Sequence, residues 1–225
     1  MTTEATCRQV AQFGFTMLEN EFALDARQHV VRSLSATRKS LMWARNVDAT
    51  LITDNPARLE DYISVLGNRE YSYLMNDGGV IQIAYIFERD QIEGHRLVYF
   101  PCPFLISRQD LSPYGDAGIL DLINDQLMTE IEENLLLKSP IRFDYAPGAA
   151  ADYHPASHIT LNDPSCRIPA RAPLNFDTFM KFILENFYFD VWQSRAVIRQ
   201  LAFSREEDCM SDHDRGRAYL HWTHR

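Results

Sequence analysis

Residues 76–79 read Asn-Asp-Gly-Gly between two runs rich in aromatic and β-branched residues, YSYLM (71–75) and VIQIAYIFE (80–88). Asp-Gly and Gly-Gly supply the positive φ that primed hairpin turns demand, so this stretch commits two adjacent strands to antiparallel pairing. In the second run Ile81, Ile83, Tyr85 and Phe87 share one face, while Gln82 and Glu88 sit on the other. A third strand over residues 96–100 follows the connection at Glu93-Gly94 and stops at Pro101-Cys102-Pro103, because proline cannot donate to a ladder.

Three consecutive antiparallel strands need apolar partners, and helical stripes supply them. Residues 4–23 place Val10, Phe13, Met17, Leu18 and Phe22 at near-helical spacing. Asn55-Pro56 opens a second helix, with Leu59, Tyr62, Ile63 and Leu66 along one side and a stop at Gly67-Asn68. After the turn-rich residues 113–118, Ile119, Leu122, Ile123, Leu127, Ile131 and Leu135 predict one long amphipathic helix ended by Pro140. Residues 175–203 return to helix through Phe176, Phe179, Ile183 and Phe187, with Trp192, Ile198 and Leu201 continuing it or bending away. Residues 27–52 fit either a continued helix or a helix ending near Ser40 with a strand beyond. With further strands at 141–145 and 157–162, the expectation is a single α+β domain over residues 1–203, an antiparallel sheet of about five strands with helices packed against it. The tail, 204–225, is expected to dock at its end through Tyr219, Leu220 and Trp222.

A chain of 225 residues with 46% hydrophobic and 24% charged composition is long enough for a real core without staples. Its formal net charge of -9 repels nucleic acid, so nucleic-acid binding would need a local basic patch, and no Lys/Arg run provides one. The four cysteines, Cys7, Cys102, Cys166 and Cys209, lie far apart and read as reduced thiols. The N-terminus lacks the pattern of a signal peptide and no apolar run approaches a membrane span, so the expected setting is the cytoplasm, with no membrane. No phosphate-cradling loop, dinucleotide fingerprint or Gly-x-Ser-x-Gly elbow is present, and no cofactor is expected.

Chemistry concentrates in residues 141–163, IRFDYAPGAAADYHPASHITLND. If the strands 141–145 and 157–162 pair antiparallel, Ile141, Phe143 and Tyr145 face the core with Ile159 and Leu161. Arg142 and Asp144 then face away together with His158, Thr160 and Asn162. In the register that sets Tyr145 against Ser157, Asp144 lies across from His158 and Arg142 across from Thr160. An Asp beside a His can fix its tautomer and raise its pKa for general acid–base work, and Arg142 suits an anion, phosphate above all. His154 and Tyr153, on the connection, are positioned to close over a bound group. The candidate catalytic residues are therefore His158, Asp144, His154 and Arg142, suited to phosphate-ester chemistry. On a solvated hairpin face the same residues would make only ordinary contacts worth under about 1 kcal/mol. No metal is expected: Pro155 opposes a helix that would set His154 and His158 on one face, and the groups Cys209, Asp212, His213 and Asp214, or His221 with His224, are loose. Asp77, Gln82 and Glu88 only faintly match the acidic strands of metal-dependent nucleases, since the usual lysine is missing.

The features Glu70-Tyr71-Ser72-Tyr73, Asp77 to Ile83, His95-Arg96-Leu97, Pro101-Cys102-Pro103, Arg142-Phe143-Asp144-Tyr145 and His154-Pro155-Ala156-Ser157-His158 resemble a bacterial domain-of-unknown-function family, number twenty-two ninety, over residues 61–188. The resemblance implies no established activity. Members of such families often sit beside genes for anti-phage defence or mobile elements. The Arg-Phe-Asp-Tyr and His-Pro motifs are also similar to those of small toxins of toxin–antitoxin pairs, which implies an RNA-directed activity. Two expectations follow: a regulatory or interaction component of such a multi-gene system, working through a protein partner encoded nearby, or a phosphoesterase or ribonuclease-like enzyme using His158, Asp144 and Arg142.

Overall fold

The hairpin at residues 71–88 belongs to a nine-stranded sheet, and its second strand pairs with three others. The computed structural model describes residues 2–44, 58–106, 108–111, 118–129, 131–201 and 206–221. Its strands are β1 (Ala23–Ala26), β2 (His29–Ser33), β3 (Arg38–Trp43), β4 (Tyr73–Met75), β5 (Val80–Glu88), β6 (Gln91–Phe100), β7 (Ile141–Tyr145), β8 (Ser157–Leu161) and β9 (Arg167–Pro169). They run β1-β4-β5-β6-β7-β8-β9, all antiparallel, and the hairpin β2–β3 joins the second half of β5, pairing Arg38 with Glu88 and Leu41 with Tyr85. The α+β class stands, but the sheet is almost twice as wide as the five strands expected. The difference is β1, β2, β3 and β9. Short strands such as β1 and β9 carry too few residues for a period-two signal, and β2 and β3 were masked by a spacing of Val30, Val31, Leu34 and Leu41 that also suits a helix.

The tight turn takes a different form from the one its residues predict. The Gly78 N–H donates to the Met75 carbonyl at 3.0 Å and the Met75 N–H to the Gly79 carbonyl at 2.7 Å, leaving Asn76, Asp77 and Gly78 as a three-residue loop. Only Gly78 needs the left-handed region, at φ 82°, the bulged alternative to a primed two-residue turn.

Helix α1 (Thr3–Glu19) is capped by Thr2, whose hydroxyl accepts from the Ala5 N–H, and it stops four residues short of the expected end. Helix α2 (Leu59–Gly67) ends where Gly67-Asn68 predicted; its expected start, Asn55-Pro56, lies outside the described residues, as do Val47, residues 113–117 and Trp222. The long helix expected over 119–135 is instead a short α-helix, Gly118–Leu122, a π-helical turn, Ile123–Leu127, and a single turn, Ile131–Asn134. Ile119, Leu122 and Ile123 are buried and Leu127 packs half-buried against the same core, but Leu135 at the end of the stripe is exposed, and the chain is drawn off to bridge it to Phe104. Helix α3 (Phe176–Phe187) is capped by Asn175 and broken at Tyr188, whose hydroxyl donates to Asp77 Oδ1 at 2.9 Å; only single turns follow at Phe189–Trp192 and Arg195–Ile198.

These helices cover the sheet unequally. On one face, Val10, Phe13 and Met17 of α1 and Phe176, Phe179 and Ile183 of α3 bury Leu41, Ile81, Ile83, Tyr85, Leu97, Phe143 and Ile159. On the other, Tyr62, Val65 and Leu66 of α2, with Ile119, Leu122 and Ile123, pack over Leu74, Val80, Val98 and Phe100. The rest of that second face, over Ser40, Met42, Ala84, Ile86, Arg96, Asp144 and His158, is instead the floor of a cavity. Burial of Phe143 and Ile159, at roughly 2–3 kcal/mol each, holds β7 and β8 in register and forces Arg142, Asp144 and His158 onto the cavity side.

Candidate functional site

The cavity measures about 730 Å³ and includes in its lining Arg38, Glu93, Arg96, Arg142, Asp144, His154, His158 and Arg167. The pairing beneath it sets Asp144 against His158, Arg142 against Thr160 and Tyr145 against Ser157. On the other side of β7, Arg96 of β6 lies opposite Asp144. One row of side chains thus crosses four strands: Ala84, Arg96, Asp144, His158. These polar residues are not a solvated hairpin face. Arg142 and Asp144 are each 6% exposed and His158 2%.

Asp144 is held from both sides. Arg96 Nε donates to Oδ1 at 2.8 Å and Arg142 Nε to Oδ2 at 2.6 Å. Burial on its own would raise the Asp144 carboxyl, but the two guanidiniums outweigh it and hold the group below its ordinary value. Asp144 is therefore ionised, and its oxygens are committed to arginines.

His158 departs from the expected Asp–His dyad. Its Nδ1 lies 2.9 Å from the Pro155 carbonyl, which can only accept, so Nδ1 carries the proton. Its Nε2 stands 3.7 Å from Asp144 Oδ2, beyond hydrogen-bond range. Burial lowers the imidazole below its usual value against the opposing effects of Pro155 and Asp144, so a neutral ring keeps a lone pair on Nε2. The tautomer is set by Pro155 rather than by Asp144, and the pKa moves down rather than up.

His154 lines the same cavity with its ring 5.2 Å from that of His158, held there by reciprocal backbone bonds between Ala151 and His154. Tyr153 turns away, packing edge-on against His213 at 5.0 Å with Arg217 over its ring. The set Asp77, Gln82 and Glu88 does not meet: Asp77 is bound by Tyr188 and the Gly79 N–H, the Gln82 amide donates to the Glu70 carbonyl, and Glu88 lies at the far end of β5. Among the described residues no three His, Cys, Asp or Glu side chains gather as a metal-holding group, and His224 lies outside them.

Sequence reasoning missed Arg96, Arg38, Glu93 and Arg167. Arg96 alternates with Leu97 and sits within a strand already predicted, so its face was readable, but its alignment with Asp144 depends on pairing across nearly fifty residues. Arg167 comes from β9, opposite Thr160, and its buried Nε has no hydrogen-bond partner among the described residues. Four guanidiniums against two carboxylates make the lining cationic within a chain of net charge -9.

Fold and site define the chain as a single-domain α+β protein on an open antiparallel sheet, with a cavity lined by both charged and apolar residues on its half-covered face. Within that class it belongs to the family of uncharacterized conserved proteins DUF2290, whose pattern matches residues 24–222, the family its motifs resemble. Neither a curated protein nor a solved structure matches the chain. The matched span begins after α1, although α1 supplies Val10, Phe13 and Met17 to the core. No described helix is long and apolar enough to cross a membrane.

Proposed function

We propose that the protein is a cytoplasmic, ligand-responsive component of a multi-gene bacterial system, of the anti-phage defence or toxin–antitoxin kind. It takes a phosphate-bearing ligand into the sheet cavity and passes its presence on to a protein partner encoded nearby. The observation that carries the binding half is the Arg96–Asp144–Arg142 array beside Arg167 at the cavity floor. A buried carboxylate that orients two guanidiniums prepares a planar, multidentate anion site at fixed geometry. Because both Asp144 oxygens are occupied, the array favours binding over proton transfer. The system-level half rests on the family resemblance and the acidic net charge of -9.

Isothermal titration with pyrophosphate at pH 7 tests the site. Wild type is expected to bind, and Arg142→Ala and Arg167→Ala, each checked for native circular dichroism, to weaken binding at least about tenfold. A folded wild type that gives no saturable heat, or variants that bind as well, would contradict it. Co-purification with the product of an adjacent gene tests the partner; a solitary monomer without effect on that neighbour contradicts it.

One observation favours a second reading, a phosphoesterase or ribonuclease-like enzyme using His158, Asp144, Arg142 and His154: the proton acceptor left at His158 Nε2 beside the arginines. Expression of wild type beside His158→Ala and Asp144→Asn separates the readings. Growth arrest and RNA loss confined to wild type support catalysis, whereas equal behaviour of three folded proteins removes it.

A further inference from the structure

The cavity floor changes character from strand to strand. Over β3 and β5 it is apolar, made by Met42, Ala84 and Ile86, with the 53% exposed Leu34 at its edge. Over β6 to β8 it is charged. Ala84 and His158 stand three strand spacings apart, about 14 Å, so the two halves lie side by side along one elongated floor. Gly94 pairs with Ile86 where the halves meet; no side chain rises from the floor there, and an added Cβ would press on the Tyr145 carbonyl at 3.2 Å. Polar groups accompany the apolar half, namely Ser40 in the floor across from Ile86 and, at the rim, the Arg38–Glu93 pair, whose Nε and Oε2 are 2.7 Å apart.

An inorganic anion would fill only the charged half and leave Met42, Ile86 and Leu34 in water. An acyl chain would cover them but offer nothing to Ser40, Arg38 or Glu93. A planar heteroaromatic ring does both, with apolar faces for a flat floor and hydrogen-bonding edges for a polar rim. We infer that the ligand is a nucleoside phosphate, its phosphate on the arginines beside Asp144 and its base lying across Ala84 and Gly94 against Ile86. This inference rests on the anion-binding reading above. The shared chemistry is one nucleoside with its phosphate, free or at the end of an RNA strand.

Calorimetry on the full chain tests it with five small probes, the four ribonucleoside 5′-monophosphates and ribose 5-phosphate, and with a 5′-phosphorylated RNA hexamer. At least one monophosphate is expected to bind about tenfold or more tighter than ribose 5-phosphate. Ile86→Ser, altering a half-buried position on the floor, is expected to erase most of that advantage while leaving ribose 5-phosphate within about twofold. A hexamer no tighter than its mononucleotide indicates a free nucleotide, and a tighter one a strand end; both support the inference. If ribose 5-phosphate and pyrophosphate bind but no monophosphate exceeds them, or if Ile86→Ser weakens all alike, the nucleoside inference falls and the anion site stands. If no anion binds at all, both fall.

Discussion

Asp144 shows how burial changes the value of a single residue. A carboxylate between two guanidiniums, its side chain and that of Arg142 each only 8% exposed, contributes little net stability as a pair, but its removal strands buried positive charge. Asp144→Ala is therefore expected to cost about 3–5 kcal/mol in urea denaturation, whereas Arg38→Ala, at the exposed Arg38–Glu93 pair, should cost under about 1 kcal/mol. Similar losses for the two variants would contradict the burial of the Asp144 network. At this scale the sequence showed which residues would share a face, because alternation in 141–145 and 157–162 needs only period two. It did not show which atoms would bond. The Pro155 carbonyl reaches His158 Nδ1 through the local bend of the chain, a contact that residue types do not announce, and Arg96 takes the place at Asp144 that sequence reasoning assigned to the imidazole.

Among the elements, the β4–β5 hairpin was legible because Gly and Asp act locally, yet its loop is shaped by what packs on it. A Cβ at Gly78 would meet Ile119, Cys102 Sγ and the Tyr62 hydroxyl, and the backbone there is left-handed. Gly78→Ala is expected to destabilise by about 2 kcal/mol or more, and Gly67→Ala, with nothing within 4 Å of the added atom, to change stability by under about 1 kcal/mol. Equal thermal shifts for the two would overturn this packing of the loop. Elements whose form depends on distant partners were harder to foresee. The 119–135 stripe has good helical period but loses its core after Leu127, and residues 27–43 became a hairpin because β5 offered an unpaired half-edge beyond β4.

Over the whole molecule, the central feature is a sheet with one face largely buried and the other divided between a second core and a cavity. That division could not be read from the chain, since it follows from how far α2 and the Gly118–Leu122 helix extend across nine strands rather than five. The same burial makes the fold acid-sensitive. Desolvation lowers His29 and His95 to about 4, and His95 is further tied, with Nδ1 facing the Phe143 carbonyl and Nε2 accepting from the Leu174 N–H. Between pH 4 and about 6.5 the unfolded chain binds more protons than the native one, so stability is full above about 6.5 and is lost as the pH falls toward 4, on the order of 3 kcal/mol for each histidine. The urea midpoint is expected to drop steeply over this interval, and His95→Gln to flatten the slope; a midpoint independent of pH there would contradict the neutral, buried state of both rings.

The most direct test of the cavity as an anion site is the NMR titration of the His158 ring with and without pyrophosphate. A neutral, desolvated imidazole beside the arginine array should titrate below the usual histidine range in the free protein and move upward when the dianionic ligand arrives. A His158 that titrates as an exposed histidine does, and takes no notice of pyrophosphate, would contradict both its burial in the row with Asp144 and the binding of phosphate there.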